Sequence, residues 1–223
     1  MTPKLFIQAL TKFFAGLIIV GLLLFLPAGT CAYWQAWLFI GILFIPMLIV
    51  GIWTIFSSPE LLRKRLSAKE EQNEQKWVVA LSGLLFIAMF VVAGLNFRFG
   101  WLLMPNWTTY VAAGIFLLGY ILYAEVMHEN VWLSRTVEVQ ENQQVIDTGL
   151  YGIVRHPMYS ATLILFLSMP LVLNSIWSFV LMLLYIPIIV KRIRNEEVVL
   201  ERDLAGYKEY KQYVRYRLIP YIW

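Results

Sequence analysis

The sequence predicts an all-α, polytopic integral membrane protein with four full spans, a C-terminal helical hairpin and an interfacial tail helix. Of the 223 residues, 60% are apolar and 14% are charged, whereas an average soluble domain has roughly 25% charged residues. The apolar residues form runs of the ~20 residues that a helix needs to cross a hydrocarbon core. Basic residues concentrate between these runs. This combination argues against a water-soluble globule, a disordered chain or a disulfide scaffold.

Four apolar runs account for the full spans. The first follows Lys4 and Lys12, a pattern that also resembles a signal peptide, but further spans follow it and we interpret it as a retained span. Tryptophans begin the other three runs, as is typical of the membrane–water interface. The four runs cover about Phe13–Leu26, Trp34–Phe56, Trp77–Asn96 and Trp107–Met127.

The last apolar stretch, Tyr159–Val190, is too long for one upright span. Pro170, Asn174 and Ser175 interrupt its middle, which favours a hairpin of two short helices that turns near Asn174 over the alternative of one kinked span. Pro187 is expected to kink the second arm, because proline removes a helical hydrogen bond. Aromatic residues then recur every three positions among Lys and Arg, a pattern that predicts an amphipathic interfacial helix or a lid over a cofactor.

The distribution of charge predicts which side of the membrane each segment faces. If the N-terminus, the loop 57–76, the segment 128–158 and the tail after Val190 share one side, that side holds 17 of the 18 Lys and Arg residues. Only Arg98 lies opposite. The positive-inside bias then makes these segments, and both termini, cytoplasmic. The net charge of +4 suits an anionic lipid leaflet, and we expect no nucleic-acid partner.

We expect a single membrane domain over residues 1–223. Residues 1–127 would form the four spans, and residues 128–223 would carry cofactor binding and catalysis. With one cysteine, Cys31, and two histidines, His128 and His156, we expect neither a disulfide nor a His-rich metal centre. The dinucleotide and P-loop glycine motifs do not occur in the sequence.

The first stretch with informative chemistry is residues 149–159, GLYGIVRHPMY. Pro157 is well placed as the first residue of a helix, with His156 near the N-cap. Free backbone N–H groups at such a position would face an anionic or polar ligand group. The alternative interpretation is a plain helix cap, with the Arg155 side chain extending to the membrane interface.

The second stretch is residues 191–197, KRIRNEE. If it is helical, Arg192 and Glu196 are neighbours on one face. The alternative is a solvated basic flank whose surface ion pair contributes about 0.5 kcal/mol or less. Two adjacent glutamates beside the membrane favour a functional cluster, because ionisable groups are costly there.

Together these stretches resemble the isoprenylcysteine carboxyl methyltransferase family, integral membrane enzymes that use S-adenosylmethionine. The resemblance covers about residues 128–223. Two positions depart from the family pattern, which often has His where Gln143 stands and Gly where this chain has Ser160-Ala161. The matching residues, in order, are Val139-Gln140, Gln143–Ile146, Thr148-Gly149-x-Tyr151, Arg155-His156-Pro157-x-Tyr159, Arg192, Glu196-Glu197, Leu200, Tyr207, Tyr210 and Arg217–Pro220.

The resemblance implies a catalytic pair, Arg192 and Glu196, and a pocket for the methyl donor. It implies no metal ligands. The donor, which leaves as S-adenosylhomocysteine, would be bound by Gln140, Gln143, Gln144, Val145, Ile146, Tyr151, His156, Pro157, Met158, Tyr159 and Glu197.

The reaction implied is methyl transfer from S-adenosylmethionine to a lipid-embedded acceptor at the cytoplasmic face, in first place the C-terminal carboxylate of an isoprenylated cysteine. The expected partners are membrane lipids and this lipidated acceptor. Two other enzyme classes share parts of the pattern: a phospholipid or lipid amine N-methyltransferase, and an NADPH-dependent sterol-type reductase. A non-catalytic membrane scaffold is the remaining alternative.

Overall fold

The computed structural model describes residues 3–57, 73–133 and 139–223. Within these ranges the chain is helical and contains no strand, which confirms the all-α class. The basic residues of the predicted cytoplasmic loop 57–76, from Arg63 to Lys69, lie outside the described residues. The helices are α1 (Pro3–Ala28), α2 (Trp34–Ser57), α3 (Asn73–Phe99), α4 (Asn106–Glu129), a 3-10 turn (Gly149–Gly152), α5 (Pro157–Val172), α6 (Ile176–Met182), α7 (Tyr185–Asp203) and α8 (Tyr207–Tyr213).

Five helical segments among the described residues are long and apolar enough to cross a membrane. The first four confirm the four predicted spans, although each helix continues past its apolar run into polar residues. The fifth joins α6 and α7 into the second arm of the hairpin. The segments are Phe6–Ala28, Trp34–Thr54, Lys76–Phe99, Asn106–Glu129 and Ile176–Asp203.

The predicted hairpin turn lies where the sequence placed it. Asn174 has a φ of 56°, a conformation that asparagine tolerates better than most residues. Its side chain donates a hydrogen bond to the Met104 carbonyl at 2.9 Å and accepts one from the Met104 N–H at 2.7 Å. The Asn174 carbonyl accepts a third from the Asn96 amide at 3.2 Å. These contacts fix the turn to the connection between α3 and α4.

The second arm of the hairpin is longer than predicted. The sequence placed its end at Val190, but the helix continues through residues 191–203, because charged residues at a span end do not interrupt helical hydrogen bonding. The expected kink occurs as a break between α6 and α7. Pro187 has no N–H to offer the Leu183 carbonyl, which accepts from the Ile186 N–H at 3.1 Å instead. This extension puts Arg192 and Glu196 on a regular helix.

Glycines set two close helix contacts in the bundle. A Cβ atom on Gly94 would lie 2.6 Å from the Leu24 carbonyl oxygen, so α3 approaches α1 only because this position has no side chain. A Cβ atom on Gly119 would lie 2.9 Å from Leu165, which brings α4 against α5. Close contact through small residues is typical of helix packing in membranes.

The tail differs from the prediction of one amphipathic helix. Helix α7 ends at Asp203, where Leu204 is extended. Helix α8 begins after Gly206, whose φ is 83°, and covers only Tyr207–Tyr213. Tyr207 and Tyr210 are buried with Leu204 and Val214. The last ten residues then cross back over the start of α5, so the tail packs on the bundle.

Candidate active site

The start of α5 is held by the tail. Pro157 is the first helical residue and His156 the N-cap, as predicted, without a side-chain capping bond. The Arg155 N–H donates to the Tyr216 carbonyl and the His156 N–H to the Arg217 carbonyl, both at 2.9 Å. Among the N–H groups at this helix start, those of Arg155 and His156 are therefore not open to a ligand.

A buried glutamate joins α5, α7 and the tail. Glu197 is 4% exposed, and its Oε1 accepts hydrogen bonds from Nε and Nη2 of Arg155, both at 2.8 Å. Its Oε2 accepts from Nε of Arg217 at 2.8 Å, and the His156 Nε2 lies 3.4 Å from Oε1. We call these four residues the Glu197 cluster. Breaking a buried ion pair of this kind typically costs ~3–5 kcal/mol.

Arg155 is an internal residue of this cluster. It is 6% exposed, and its Nη1 also donates to the carbonyls of Val214 and Arg215 at 2.7 and 2.8 Å. The alternative of an arginine extending to the interface is therefore wrong. Its guanidinium instead connects the start of α5 to the tail.

The two predicted catalytic residues are connected through Tyr159. The Tyr159 hydroxyl donates to Oε2 of Glu196 at 2.5 Å and accepts from Nε of Arg192 at 2.9 Å. The sequence suggested that Arg192 and Glu196 are neighbours on one helical face, and a residue of α5 lies between them. The geometry thus brings a residue from each of the two informative stretches into one hydrogen-bonded group.

A cavity of about 100 Å³ adjoins this group. Most of the predicted site residues line it. From the residues before and at the start of α5 these are Gln143, Gln144, Val145, Ile146, Tyr151, His156, Met158 and Tyr159. From α7 they are Arg192 and Glu196.

Gln140, Pro157 and Glu197 are the predicted site residues that are not on the cavity wall. The Gln140 side chain donates to the Trp132 carbonyl at 2.6 Å, and its N–H donates to the Gln143 side chain at 2.9 Å. Gln140 therefore supports the wall from behind. Pro157 faces the opposite side of α5. Both oxygens of Glu197 are engaged by arginines within its cluster.

Other wall residues were not predicted as site residues, although Arg155, Leu200, Tyr207 and Tyr210 belong to the pattern that carries the family resemblance. Asn130 follows α4 in a segment without a chemical pattern, yet its amide donates to the Tyr151 hydroxyl at 2.8 Å. Tyr210 belonged to the tail motif, and its hydroxyl donates to the Tyr151 carbonyl at 2.7 Å. The wall residues not predicted are Asn130, Trp132, Leu133, Arg155, Val199, Leu200, Leu204, Tyr207 and Tyr210.

Tyr207 presents an unpartnered hydroxyl at the cavity. The residue is 4% exposed, and its oxygen is among the buried polar atoms of the described chain that have no hydrogen-bond partner. Burial, and then the nearby charges of Glu197 and Glu196, raise the pKa of the Tyr207 phenol well above its ordinary value. A buried polar group without a partner costs ~1–3 kcal/mol. A polar ligand in this cavity would remove that cost.

Comparison with known proteins finds similarity to enzymes in the part of the chain that contains the candidate site. Residues 107–205 match a family model described as phospholipid methyltransferase, a range that contains every predicted site residue. The mouse (Mus musculus) delta(14)-sterol reductase TM7SF2 is 32% identical over 91 residues, which are 40% of this chain and 22% of the reductase. The match therefore spans about a fifth of the length of that relative.

The fold is similar to that of a solved methyltransferase. The eukaryotic intramembrane Ras methyltransferase ICMT (isoprenylcysteine carboxyl methyltransferase) aligns with a TM-score of 0.56 and 18% sequence identity, over 92% of this chain and 74% of that chain. At this identity the likeness shows the fold.

Proposed function

We propose that this multi-pass membrane protein, whose family match and fold support a methyltransferase, transfers the methyl group of S-adenosylmethionine to a lipid-embedded acceptor. The acceptor that we put first is the C-terminal carboxylate of an isoprenylated cysteine. The observation that carries the proposal is the shared cavity, where Tyr151 and His156 from one stretch meet Arg192 and Glu196 from another.

The cavity wall suits the chemistry of the donor. S-adenosylmethionine combines an adenine and a ribose with an ammonium and a carboxylate, so its site needs both apolar surface and hydrogen-bonding groups. The amides of Gln143 and Gln144 and the apolar side chains of Val145 and Ile146 meet these needs. The unpartnered Tyr207 hydroxyl is a further donor.

Donor binding requires the wall to open. A cavity of about 100 Å³ is smaller than the ~300–1,000 Å³ of typical ligand sites. Helix α8 supplies Tyr207 and Tyr210 to this wall and has only seven residues. We therefore expect α8 to move outward when the donor enters, which agrees with the alternative of a lid that the tail pattern suggested.

In the proposed mechanism the protein mainly positions the reactants. The donor supplies a methyl group on a positively charged sulfur, so an ionised carboxylate needs no general base to attack it. The Arg192 guanidinium would hold that carboxylate through paired hydrogen bonds. Tyr159 and Glu196 would fix its orientation. Alignment of reacting groups contributes ~7–11 kcal/mol in well-oriented systems.

Methylation of a lipid amine is the second candidate, and the family description favours it. An amine must lose a proton before it attacks, so the rate would rise with pH through the amine pKa. The α-carboxyl group of such an acceptor has a pKa of ~3.5 and is fully ionised across neutral pH. The rate with that acceptor should therefore stay level between pH 6 and 9, apart from loss of the folded enzyme.

A sterol-type reductase is the third candidate, because of the partial identity to the mouse reductase. Calorimetric titration of the purified protein in detergent with S-adenosylhomocysteine and with NADPH separates it from the first two. We expect binding of S-adenosylhomocysteine alone. Binding of NADPH alone would replace the proposal with a reductase, and binding of neither would favour the scaffold.

We also propose that both termini and the cavity face the cytoplasm, as the charge bias predicts. The single cysteine offers a direct test, because Cys31 is exposed in the connection between α1 and α2. In this orientation the connection lies outside. A membrane-impermeant maleimide should label Cys31 in intact cells, and labelling that appears only after the membrane is opened would reverse the orientation.

A further inference from the structure

A second cleft lies on the opposite side of α5 from the candidate active site. It has a volume of about 850 Å³ and an almost entirely apolar wall. Ile115 and Leu122 of α4, Ala161 and Ile164 of α5, and Ile186 and Val190 of α7 contribute to it. We call the cavity of the candidate active site the Arg192 cavity, and the cleft shares no lining residue with it.

At one end this cleft becomes polar. A pocket of about 270 Å³ continues it, since both are lined by Ile153 and Pro220. This pocket adds Tyr213, Arg215 and Tyr221. The Arg215 side chain is exposed, and no carboxylate of the described residues lies within ion-pair distance of it. The end of the cleft therefore offers a positive charge and phenol hydroxyls.

We propose that this cleft binds an anionic phospholipid of the bilayer, with an acyl chain along α5 and the phosphate at Arg215. The α5 residues on the wall run from Pro157 to Leu171, about 21 Å at the helical rise per residue. That length exceeds one leaflet of a ~30 Å hydrocarbon core. A guanidinium is well suited to a phosphate, and tyrosines are typical of the interface at which headgroups lie.

An occupied cleft should stabilise the tail. Ile219, Pro220 and Trp223 form part of its wall, and the Ser160 hydroxyl of α5 donates to the Leu218 carbonyl beside them at 2.7 Å. The same tail supplies Arg217 to the Glu197 cluster. Lipid contacts on one side of the tail therefore support the ion pairs on its other side. This inference does not depend on the proposed methyl transfer.

Native mass spectrometry and thermal unfolding of the full chain test the proposal, with dioleoyl phosphatidylglycerol, phosphatidylcholine and phosphatidylethanolamine as probes. We expect phosphatidylglycerol to bind most tightly and to raise the unfolding temperature most. Arg215→Gln should lower the affinity for phosphatidylglycerol about fivefold, as expected for loss of one basic residue near an anionic headgroup. Ile153→Trp, at the junction of cleft and pocket, should weaken all three lipids.

Lys208→Gln is the matched control, because it removes the same charge from an exposed position of the tail that is not on the cleft wall. It should leave lipid binding unchanged. Equal affinity for the three lipids, or an equal effect of Arg215→Gln and Lys208→Gln, would overturn the proposal. Phosphatidylglycerol binding that persists unchanged in Ile153→Trp would also overturn it.

Discussion

The two ends of the α5–α7 hairpin both contain buried polar networks, but of different kinds. At the turn, the Asn174 and Asn96 amides bond mainly to backbone groups and carry no charge. At the other end, Arg155 and Glu197 form charged contacts beside a cavity whose wall includes Arg192. Buried charges cost far more to place than neutral amides. The charged end is thus where we expect function, and the turn end is where we expect structure.

The largest effect that we predict is a loss of turnover from substitutions at the charged end. Arg192→Ala and Glu196→Ala should each lower methyl transfer by about 10³-fold, equivalent to about 4 kcal/mol, because the acceptor loses its clamp or the clamp loses its orientation. The unfolding temperature should change little. Lys191→Ala removes an exposed neighbouring charge and should retain activity. Wild-type turnover in the Arg192 variant would remove the proposed reaction centre.

The next effect is on stability at the same end. Glu197→Ala leaves the buried Arg155 without its carboxylate, and should lower the free energy of unfolding by about 3 kcal/mol. We choose the lower end of the usual range because the Arg217 side chain is 30% exposed and water can solvate it. Glu201→Ala breaks the more exposed pair with Lys211 and should cost less than about 1 kcal/mol. Denaturant titration in detergent compares the two, and equal losses would contradict the role of the Glu197 cluster.

At the turn end we expect a smaller loss of stability and none of specific activity. Asn174→Ala removes two side-chain hydrogen bonds and puts alanine at a positive φ. It should lower the free energy of unfolding by about 2 kcal/mol. Asn174→Gly keeps the backbone conformation and should lose less. Both variants should turn over normally per folded molecule. A drop in kcat without loss of stability would make the turn part of the catalytic machinery.

The smallest effect concerns the unpartnered hydroxyl. Tyr207→Phe should weaken S-adenosylhomocysteine binding about fivefold, or about 1 kcal/mol, the net value of one hydrogen bond. Tyr210→Phe is the control, because the Tyr210 hydroxyl already bonds to the Tyr151 carbonyl and its loss should act on stability. Calorimetry on both variants decides the point. Unchanged affinity of Tyr207→Phe for S-adenosylhomocysteine would show that the Tyr207 hydroxyl does not contact this ligand. If the wild-type protein does not bind S-adenosylhomocysteine, the proposed methyl donor is wrong.

The sequence predicted the spans and the hairpin turn because these depend on local features. An apolar run of sufficient length identifies a span, and Asn174 next to Ser175 identifies a break. The end of α7 is not predictable in the same way, because the apolar pattern ends at Val190 and the charged residues after it do not show how far the helix continues. The short α8 begins after the left-handed Gly206 and ends at the extended Val214, and no periodic pattern reports either position.

Most of the residues predicted to form the site line one cavity, but the sequence did not indicate which contacts each of them makes. Adjacent helical positions point about 100° apart, since a turn has 3.6 residues, so Glu196 faces the cavity while Glu197 faces the arginines. The sequence pattern alone does not indicate which of the two glutamates faces the cavity and which contacts the arginines. The contact of Arg155 with Glu197 joins residues 42 positions apart, and only the packing of the tail across α5 makes Arg155 internal.

Helix α5 borders both the Arg192 cavity and the apolar cleft, with Tyr159 on one side and Ala161 on the other. A ligand on one side that shifts α5 would therefore change the affinity for a ligand on the other side. If the soluble ligand changes the affinity for the lipid by some factor, the lipid must change the affinity for the soluble ligand by the same factor. One coupling constant, measured with either ligand, would describe how the composition of the bilayer changes the affinity of the protein for the soluble ligand.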